Sequence, residues 1–376
     1  MAQVVRLLFA LKSVWAVLAA LVCGSFLIML AGSDPIAAYT ALFHGAFVDY
    51  WGFAATLVKT CPLLLAGLAV VLPLRAGLFN IGGEGQIYIG ALFATIVALY
   101  VPELPGPIHI ALASIAGAIG GALWALLPAI LKAYQRINEI IVTLLMNFVA
   151  LHFVSFVVSG PMMEEGAPYP YSPEIPLGLF LPHILPRTDA HLGVVIAVVF
   201  ALILYVVFRR GVAGYTLSTV GENPHAARYA GMSVERHIIV SFLVAGAFAG
   251  LAGTFEVLGH RYRLFHAFSQ GYGYDGIVVA FLANLNPLFA IVSALFLAGL
   301  RSGANVMQRA VGVQVTVVEA IQGLVIIFVA ISLAFRYRAG AVGQFLARRA
   351  AVEAALDKPG GDGAALDKPG AGGAAP

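Results

Sequence analysis

AATLVKTCPLLLAGLAVVLPLRAGLFNIGGEGQ, residues 54–86, decides the fold. Its first part, 54–73, is apolar over about the 20 residues that a helix needs to cross hydrocarbon. Arg75 ends that run, and a second apolar run continues to residue 100. Inside the second run Asn80, Glu84 and Gln86 stand among the glycines of Gly77-Leu-Phe-Asn-Ile-Gly-Gly-Glu-Gly-Gln86. A carboxylate at mid-bilayer costs about 2.5–3.5 kcal/mol on insertion scales, so it faces protein or a water-filled path, not lipid. Glycines there let the backbone leave the regular helix or let neighbouring helices approach closely, both tolerated only away from lipid. Two readings stay open for this polar knot: a pore-lining element, or a brace in which Glu84 and Asn80 bond the backbone groups freed at a helix break.

Outward from that stretch the pattern repeats. The 376 residues are 61% hydrophobic and 10% charged, against about 25% charged in ordinary soluble domains. The expectation is an all-α, polytopic integral membrane bundle. Apolar length places spans near 12–31, 54–73, 78–100, 108–131, 138–158, 192–208, 238–258, 274–285, 288–304 and 317–335, with eight spans as the alternative. The pair at 274–304 requires two short helices broken at Asn284-Leu-Asn-Pro287. Arg75, Lys132, Arg136, Arg209, Arg210, Arg228, Arg236, Arg336, Arg338, Arg348 and Arg349 then share one side, which the positive-inside rule makes cytoplasmic together with both termini. Arg187, Arg261, Arg263, Arg301 and Arg309 fall outside, with Lys59 near an outer helix end. Arg6 and Lys12 ahead of the first apolar run resemble the charge layout of a secretory leader; the spans that follow favour an uncleaved first helix. The membrane domain is expected over 1–340, with an outer loop at 159–191 that carries Glu164, Glu165 and Glu174, and a cytoplasmic loop at 209–237. The tail 341–376 repeats AALDKPG and has too little apolar content to pack, so it reads as disordered from about 350 and dispensable.

A weak internal echo accompanies these spans. INEIIVTLLMNFVA at 137–150 lines up with VVEAIQGLVIIFVA at 317–330, setting Glu139 against Glu319, and the glycines of 82–85 find a counterpart at 271–276. The aligned spans run in opposite directions, as in an inverted-topology repeat whose halves enclose a central path.

Further polar residues sit inside predicted spans. Asn147, one turn after Thr143, could bond a hydroxylated solute or glue two helices. Tyr272, Tyr274 and Asp275, with Phe281 and Asn284 beyond, could face a flat ring, or form an interfacial aromatic belt. Glu139 and Glu319 stand at helix starts, where a carboxylate complements the dipole. Gly117 with Gly121, and Gly246 with Gly250, read as close-packing faces. In the polar loop Gly221-Glu222-Asn223-Pro224-His-Ala-Ala227-Arg228-Tyr-Ala-Gly231, Asn223 and Pro224 start a short surface helix and Gly231 ends it. About two turns of helix are unstable alone and need a docking surface: a soluble partner, or a lipid headgroup layer.

The sequence has no phosphate-cradling Gly-x-x-x-x-Gly-Lys-Ser/Thr, no HExxH and no Gly-x-Ser-x-Gly, and its two cysteines, Cys23 and Cys61, lie within apolar runs. Neither an enzyme, a metal site nor a disulfide framework is indicated. The net charge of +3, with dispersed basic residues, does not make a nucleic-acid surface.

Over roughly residues 50–335 the chain resembles the permease family of bacterial ABC importers for ribose, branched-chain amino acids and nucleosides. GLFNIGGEGQIYIGA and NEIIVTLLMNFVA look most like its nucleoside or simple-sugar branch, and GENPHAARYAG is similar to the family's coupling loop. The resemblance implies a bacterial inner-membrane location, a second, related but non-identical permease subunit, a cytoplasmic ABC ATPase that alone binds ATP and Mg, and an extracytoplasmic binding protein. It implies no cofactor in this chain. Gly221, Glu222, Asn223, Pro224, Ala227, Arg228 and Gly231 would meet the ATPase; Asn80, Glu84, Gln86, Asn147, Tyr274 and Asp275 would border the solute's path. A pentose or a branched-chain amino acid is the alternative solute, and an ion-coupled secondary transporter the rival class.

Overall fold

The computed structural model describes residues 12–102, 104–328 and 331, and all but the last of these lie in the unit Met1–Val329. The tail at 341–376 lies outside the described residues. The described residues form a helical bundle with no extended strand beyond two isolated bridges. Seven helices are long and apolar enough to cross a bilayer, or eight if the bent pair at the start is one crossing; two shorter apolar helices add to them.

In chain order, α1 is Lys12–Leu30, and α2, Pro35–Phe43, turns back on it at 118°. Sequence reading treats 35–48 as a connection, but Asp34 caps the Ile36 N–H and Pro35 presets the first turn, so a helix forms. Next come α3 (Tyr50–Arg75), α4 (Gly83–Tyr100), α5 (Gly106–Gln135), α6 (Glu139–Ser159) and α7 (Gly193–Arg210). The run expected as one span from 78 is helical only from Gly83, and 76–82 is irregular backbone. The expected loop 209–237 is largely helix: α8, Val212–Glu222, then α9, Pro224–Tyr229. After them come α10 (Val234–Glu256, prolonged by a wide turn to Arg261), α11 (Tyr272–Leu282), α12 (Pro287–Val311) and α13 (Val315–Phe328). The break at Asn284–Pro287 forms as expected: Asn284 and Leu285 take positive φ, and Asn286 caps the Leu288 N–H. The helix beyond it is not short, however, and runs 25 residues.

Helices α3 and α10 form the interior, whereas α5, α6 and α7 bury only about a quarter of their apolar windows. Their outer faces carry side chains such as Leu145 and Phe156, which suits contact with lipid. Where α5 crosses α10, the two pairs of glycines meet: a Cβ on Gly121 would lie 2.2 Å from the Gly246 carbonyl oxygen, and one on Gly250 2.2 Å from that of Gly117. Gly90 of α4 enters the same crossing, 2.2 Å from the Gly250 Cα by the same measure. Backbones this close gain dispersion contact over their whole length, which is what joins helices in a medium as apolar as they are.

The ends of the bundle are defined by contacts. Arg75 Nε donates to the Leu285 carbonyl at 3.3 Å, Gly77 abuts Gly221, and Val234 packs with Val220 and Ala227. Thus α3 and α11 finish, and α10 starts, at the end that carries α8 and α9. At the other end Ser302 Oγ of α12 donates to the Gly52 carbonyl of α3 at 3.2 Å. Helix α11 therefore runs parallel to α3, and α10 and α12 run against it. Because Gly276 lies on Ala66, midway along α3, α11 begins in the middle of the bundle.

Replacing Gly250 by Val forces the α5–α10 crossing apart against backbone and is expected to remove about 3 kcal/mol or more of stability. Loss of the monodisperse, detergent-solubilised protein would register it. Gly323→Ala, where a Cβ meets nothing within 4 Å, serves as the tolerated control.

Candidate functional site

The sequence's polar knot is where two helices begin face to face. Residues 76–82 return from the end of α3 into the bundle, and α4 starts at Gly83; residues 262–271 lead to the start of α11. Gly273 packs on Glu84 so tightly that a Cβ would lie 2.2 Å from its backbone nitrogen. Each helix start carries unpaired N–H groups and about half a positive charge. Two such ends repel, and Glu84 resolves this. From the first turn of α4 its Oε2 accepts the Gly273 N–H of α11 at 2.7 Å, so one carboxylate complements both dipoles.

The remaining polar groups bond the broken backbone. Asn147 of α6 accepts the Gly85 N–H at 2.8 Å through Oδ1, while its Nδ2 donates to the Ile81 carbonyl at 2.9 Å and lies 3.3 Å from the Tyr274 hydroxyl. Asn80 Oδ1 accepts the Gly82 N–H at 3.0 Å, and its amide pairs with that of Gln86 at 3.2 and 3.3 Å. Glu139 does more than meet its own helix dipole: it pairs with Lys132 at 2.7 Å and accepts the Phe79 N–H. Phe79 packs on Phe281. Asn80, Glu84, Gln86, Asn147 and Tyr274 thus converge, and the bonds they make are those of a brace.

Asp275 points elsewhere, to Arg301 at 2.7 Å, and Arg301 lines a cavity of about 650 Å³. Lys59, Gln270, Tyr272, Arg301, Asn305 and Gln322 are among its lining. Arg301 Nη2 also donates to the Gln270 carbonyl at 3.0 Å, and Lys59 Nζ to the Arg301 carbonyl at 3.2 Å. Arg301 Nη1 and Gln322 Nε2 are buried and find no partner among the described residues. The sequence places Arg301 on the outer side and Lys59 near an outer helix end, each as a topology marker; the structure sets both inside long helices, Lys59 more than two turns into α3 and Arg301 past the middle of α12. The cost of charge within an apolar span was the signal that could have found them. Glu319, exposed in the second turn of α13, lines the same cavity.

At the α8–α9 end, Asn223 Oδ1 accepts the His225 and Ala226 N–H groups, and Gly231 closes the helix at φ +81°. Gly221 and Glu222 belong to α8. Gly221 is packed against the end of α3, where a Cβ would lie 2.2 Å from the Arg75 carbonyl oxygen. Ala227 is fully buried with Val220 and Val234, so its side chain presents no outer surface. Arg228 pairs with Glu235, and Tyr229, which sequence reading passed over, is 95% exposed.

At the opposite end the loop 159–191 covers the end of α10. Ser172, Ile175 and Leu181 N–H groups bond the carbonyls of Leu264, Tyr262 and Leu258. Arg263 pairs with Glu164 and Glu174, which raise its pKa further. His191 is fully buried, and desolvation, reinforced by His260 and His183, lowers its pKa to about 4. No group of side chains suited to a metal ion occurs among the described residues.

Residues 52–330 match the family model described as branched-chain amino acid transport system / permease component. Among curated proteins the chain is 39% identical to a glucose ABC transporter permease protein of Haloferax volcanii, with 93% of each chain covered. It is 36% identical to a guanosine ABC transporter permease protein of Bacillus subtilis, over 90% of this chain and 98% of that one. To a nucleoside ABC transporter permease protein of Lactococcus lactis it is 28% identical, over 82% of this chain and 87% of the relative. No solved structure matches it.

Truncating Glu84 to Ala leaves the Gly273 N–H and two helix starts uncompensated in an apolar interior. The expected loss is about 1–3 kcal/mol of stability, read as a lower unfolding temperature in detergent. Glu84→Gln, which keeps an acceptor, should lie between the two; equal stability of all three would show that the brace is not needed.

Proposed function

Because the chain belongs to the permease-component family of branched-chain amino acid transport systems, we propose that it is the translocating subunit of an ATP-driven importer for nucleosides. The observation that carries this reading is the link between the exposed α9 and the bundle's centre. Gly221, at the foot of α9, bears on the end of α3 and on Gly77, from which the chain runs directly into the brace at Asn80 and Glu84. A short helix held in this way passes an external push inward as rigid-body motion.

In this reading the α8–α9 end is cytoplasmic, both termini lie on that side, and α1, α3–α7 and α10–α13 make ten crossings. The halves α3–α6 and α10–α13 form an inverted repeat; α3 running against α10, and two helix starts meeting at mid-bundle, support it. The solute passes beside the knot, with Asn80, Glu84, Gln86, Asn147, Tyr274 and Asp275 holding the wall of its path. A cytoplasmic ABC ATPase, which binds ATP and Mg, grips Asn223, Pro224, Arg228 and Tyr229, while Gly221 and Ala227 fix the helix from behind. A second, related permease subunit completes the pathway. A binding protein docks on the outer loop, which places the complex in an inner membrane of bacterial type.

Nucleosides are favoured by the guanosine and nucleoside permeases among the relatives. The glucose permease, at 39% identity, supports a simple sugar as the second reading. The complete complex in proteoliposomes distinguishes them: nucleosides, not glucose, are expected to stimulate ATP hydrolysis and to accumulate inside. Uptake by this chain alone, driven by an ion gradient, would overturn the importer reading.

Tyr229→Ala tests the grip. An exposed aromatic at an interface centre is worth about 2 kcal/mol or more, so ATPase binding is expected to weaken at least about thirtyfold while the permease folds normally. Unchanged solute-stimulated hydrolysis would remove Tyr229 from the interface.

A further inference from the structure

We infer that the cavity between Lys59 and Arg301 seats the solute and selects a ring edge made of hydrogen-bond acceptors, that of a 6-oxopurine nucleoside and not a 6-aminopurine one. The inference rests on the nucleoside reading above and adds to it a site and a chemical preference. It begins from the unspent donors. Arg301 commits Nη2 to Asp275 and Gln270, leaving Nη1 buried and unpaired; Gln322 Nε2 is likewise unpaired, and Lys59 has a single carbonyl partner for its three N–H groups. Buried donors without acceptors are destabilising, so a ligand that brings acceptors is bound by what the empty site lacks. Charge limits the choice further. Lys59, Arg261, Arg301 and Glu319 line the space, and Arg261 and Arg301 are each paired behind it, with Glu256 and Asp275, so formal charge cancels and a neutral polar ligand fits better than a phosphorylated one.

A volume of about 650 Å³ lies within the range of small-molecule sites, roughly 300–1,000 Å³. A 6-oxopurine places O6 and N7, both acceptors, side by side, the edge that Arg and Lys read most often. A 6-aminopurine puts an N–H₂ donor in place of O6, facing donors. One good two-point contact of this kind discriminates by about 1–3 kcal/mol.

Guanosine and 2,6-diaminopurine riboside share the 2-amino group and differ at position 6. Uptake by the complete complex, with the same binding protein throughout, is compared for wild type, Lys59→Met and Gln322→Leu, so that selection by the binding protein cancels between them. Wild type is expected to prefer guanosine at least about tenfold, and the variants to bring that ratio within about threefold. Two variants on different helices keep the test decisive if one fails to assemble, as checked by size exclusion. A guanosine preference that persists unchanged in the assembled variants, or tighter uptake of guanosine monophosphate than of guanosine, would overturn the inference and leave nucleoside import standing. Uptake of glucose with no nucleoside uptake would overturn both.

Discussion

A single carboxylate between two helix starts holds the centre of this bundle. Glu84 is 7% exposed, and a buried carboxylate is tolerable only where positive potential and N–H donors surround it. The starts of α4 and α11 supply both, and without the carboxylate they would repel. Each partner is thus the condition for the other. Gly273 follows from the same requirement, because a side chain there would meet the Glu84 backbone and push the two starts beyond the reach of one Glu. Asn147 follows as well: where the irregular segment 76–82 passes into the open first turn of α4, buried backbone groups need side-chain partners, and one amide on α6 supplies an acceptor to Gly85 and a donor to Ile81.

The brace stands at the junction of elements that share one end of the molecule. The segment 76–82 enters it from the end of α3, and α11 leaves it towards Leu285, three residues past its end, which Arg75 holds. Arg75 also lies over the Phe208 ring of α7. In the proposed reading, a displacement of α8 and α9 at Gly221 has a packed route to both arms of the brace, along 76–82 on one side and through the Arg75–Leu285 contact on the other. Close-packed interiors shift between discrete arrangements and do not deform smoothly, and backbone contact of the Gly221–Arg75 kind favours such all-or-none transmission.

Much of this was legible in the sequence, and the parts that were not share a cause. The glycine pairs 117/121 and 246/250 were read as packing faces and meet each other; Asn223, Pro224 and Gly231 bound a short helix where expected; the echo between 82–85 and 271–276 marks two segments in direct contact. These features are local or carry their own backbone signature. Helix α2 escaped because its capping pair, Asp34-Pro35, looks like any turn until the helix is seen to pack on its neighbours. The positive-inside rule reads Arg301 as outer and Lys59 as near an outer helix end, although each lies within a predicted span. The rule reports orientation and is silent on charges compensated inside the protein. The partner of Glu84 lies 189 residues away in the chain, beyond the reach of any local pattern.

The first turn of α11 joins the brace to the cavity. Gly273 gives its N–H to Glu84, while Asp275, two residues on, gives its carboxylate to Arg301, whose guanidinium also lies over the Tyr272 ring. One rigid turn therefore fixes the donor that faces the cavity and the acceptor arrangement that holds the two helix starts together. If the cavity seats the solute as proposed, a ligand that draws on Arg301 Nη1 alters the balance with Asp275 and with it the seating of α11 on Glu84. Motion arriving along α3 in the importer reading would alter the same turn from the opposite direction. Since any coupling free energy between two sites acts equally in both directions, that reading has occupancy of the cavity and the position of α9 influence each other through the single turn Gly271–Asp275.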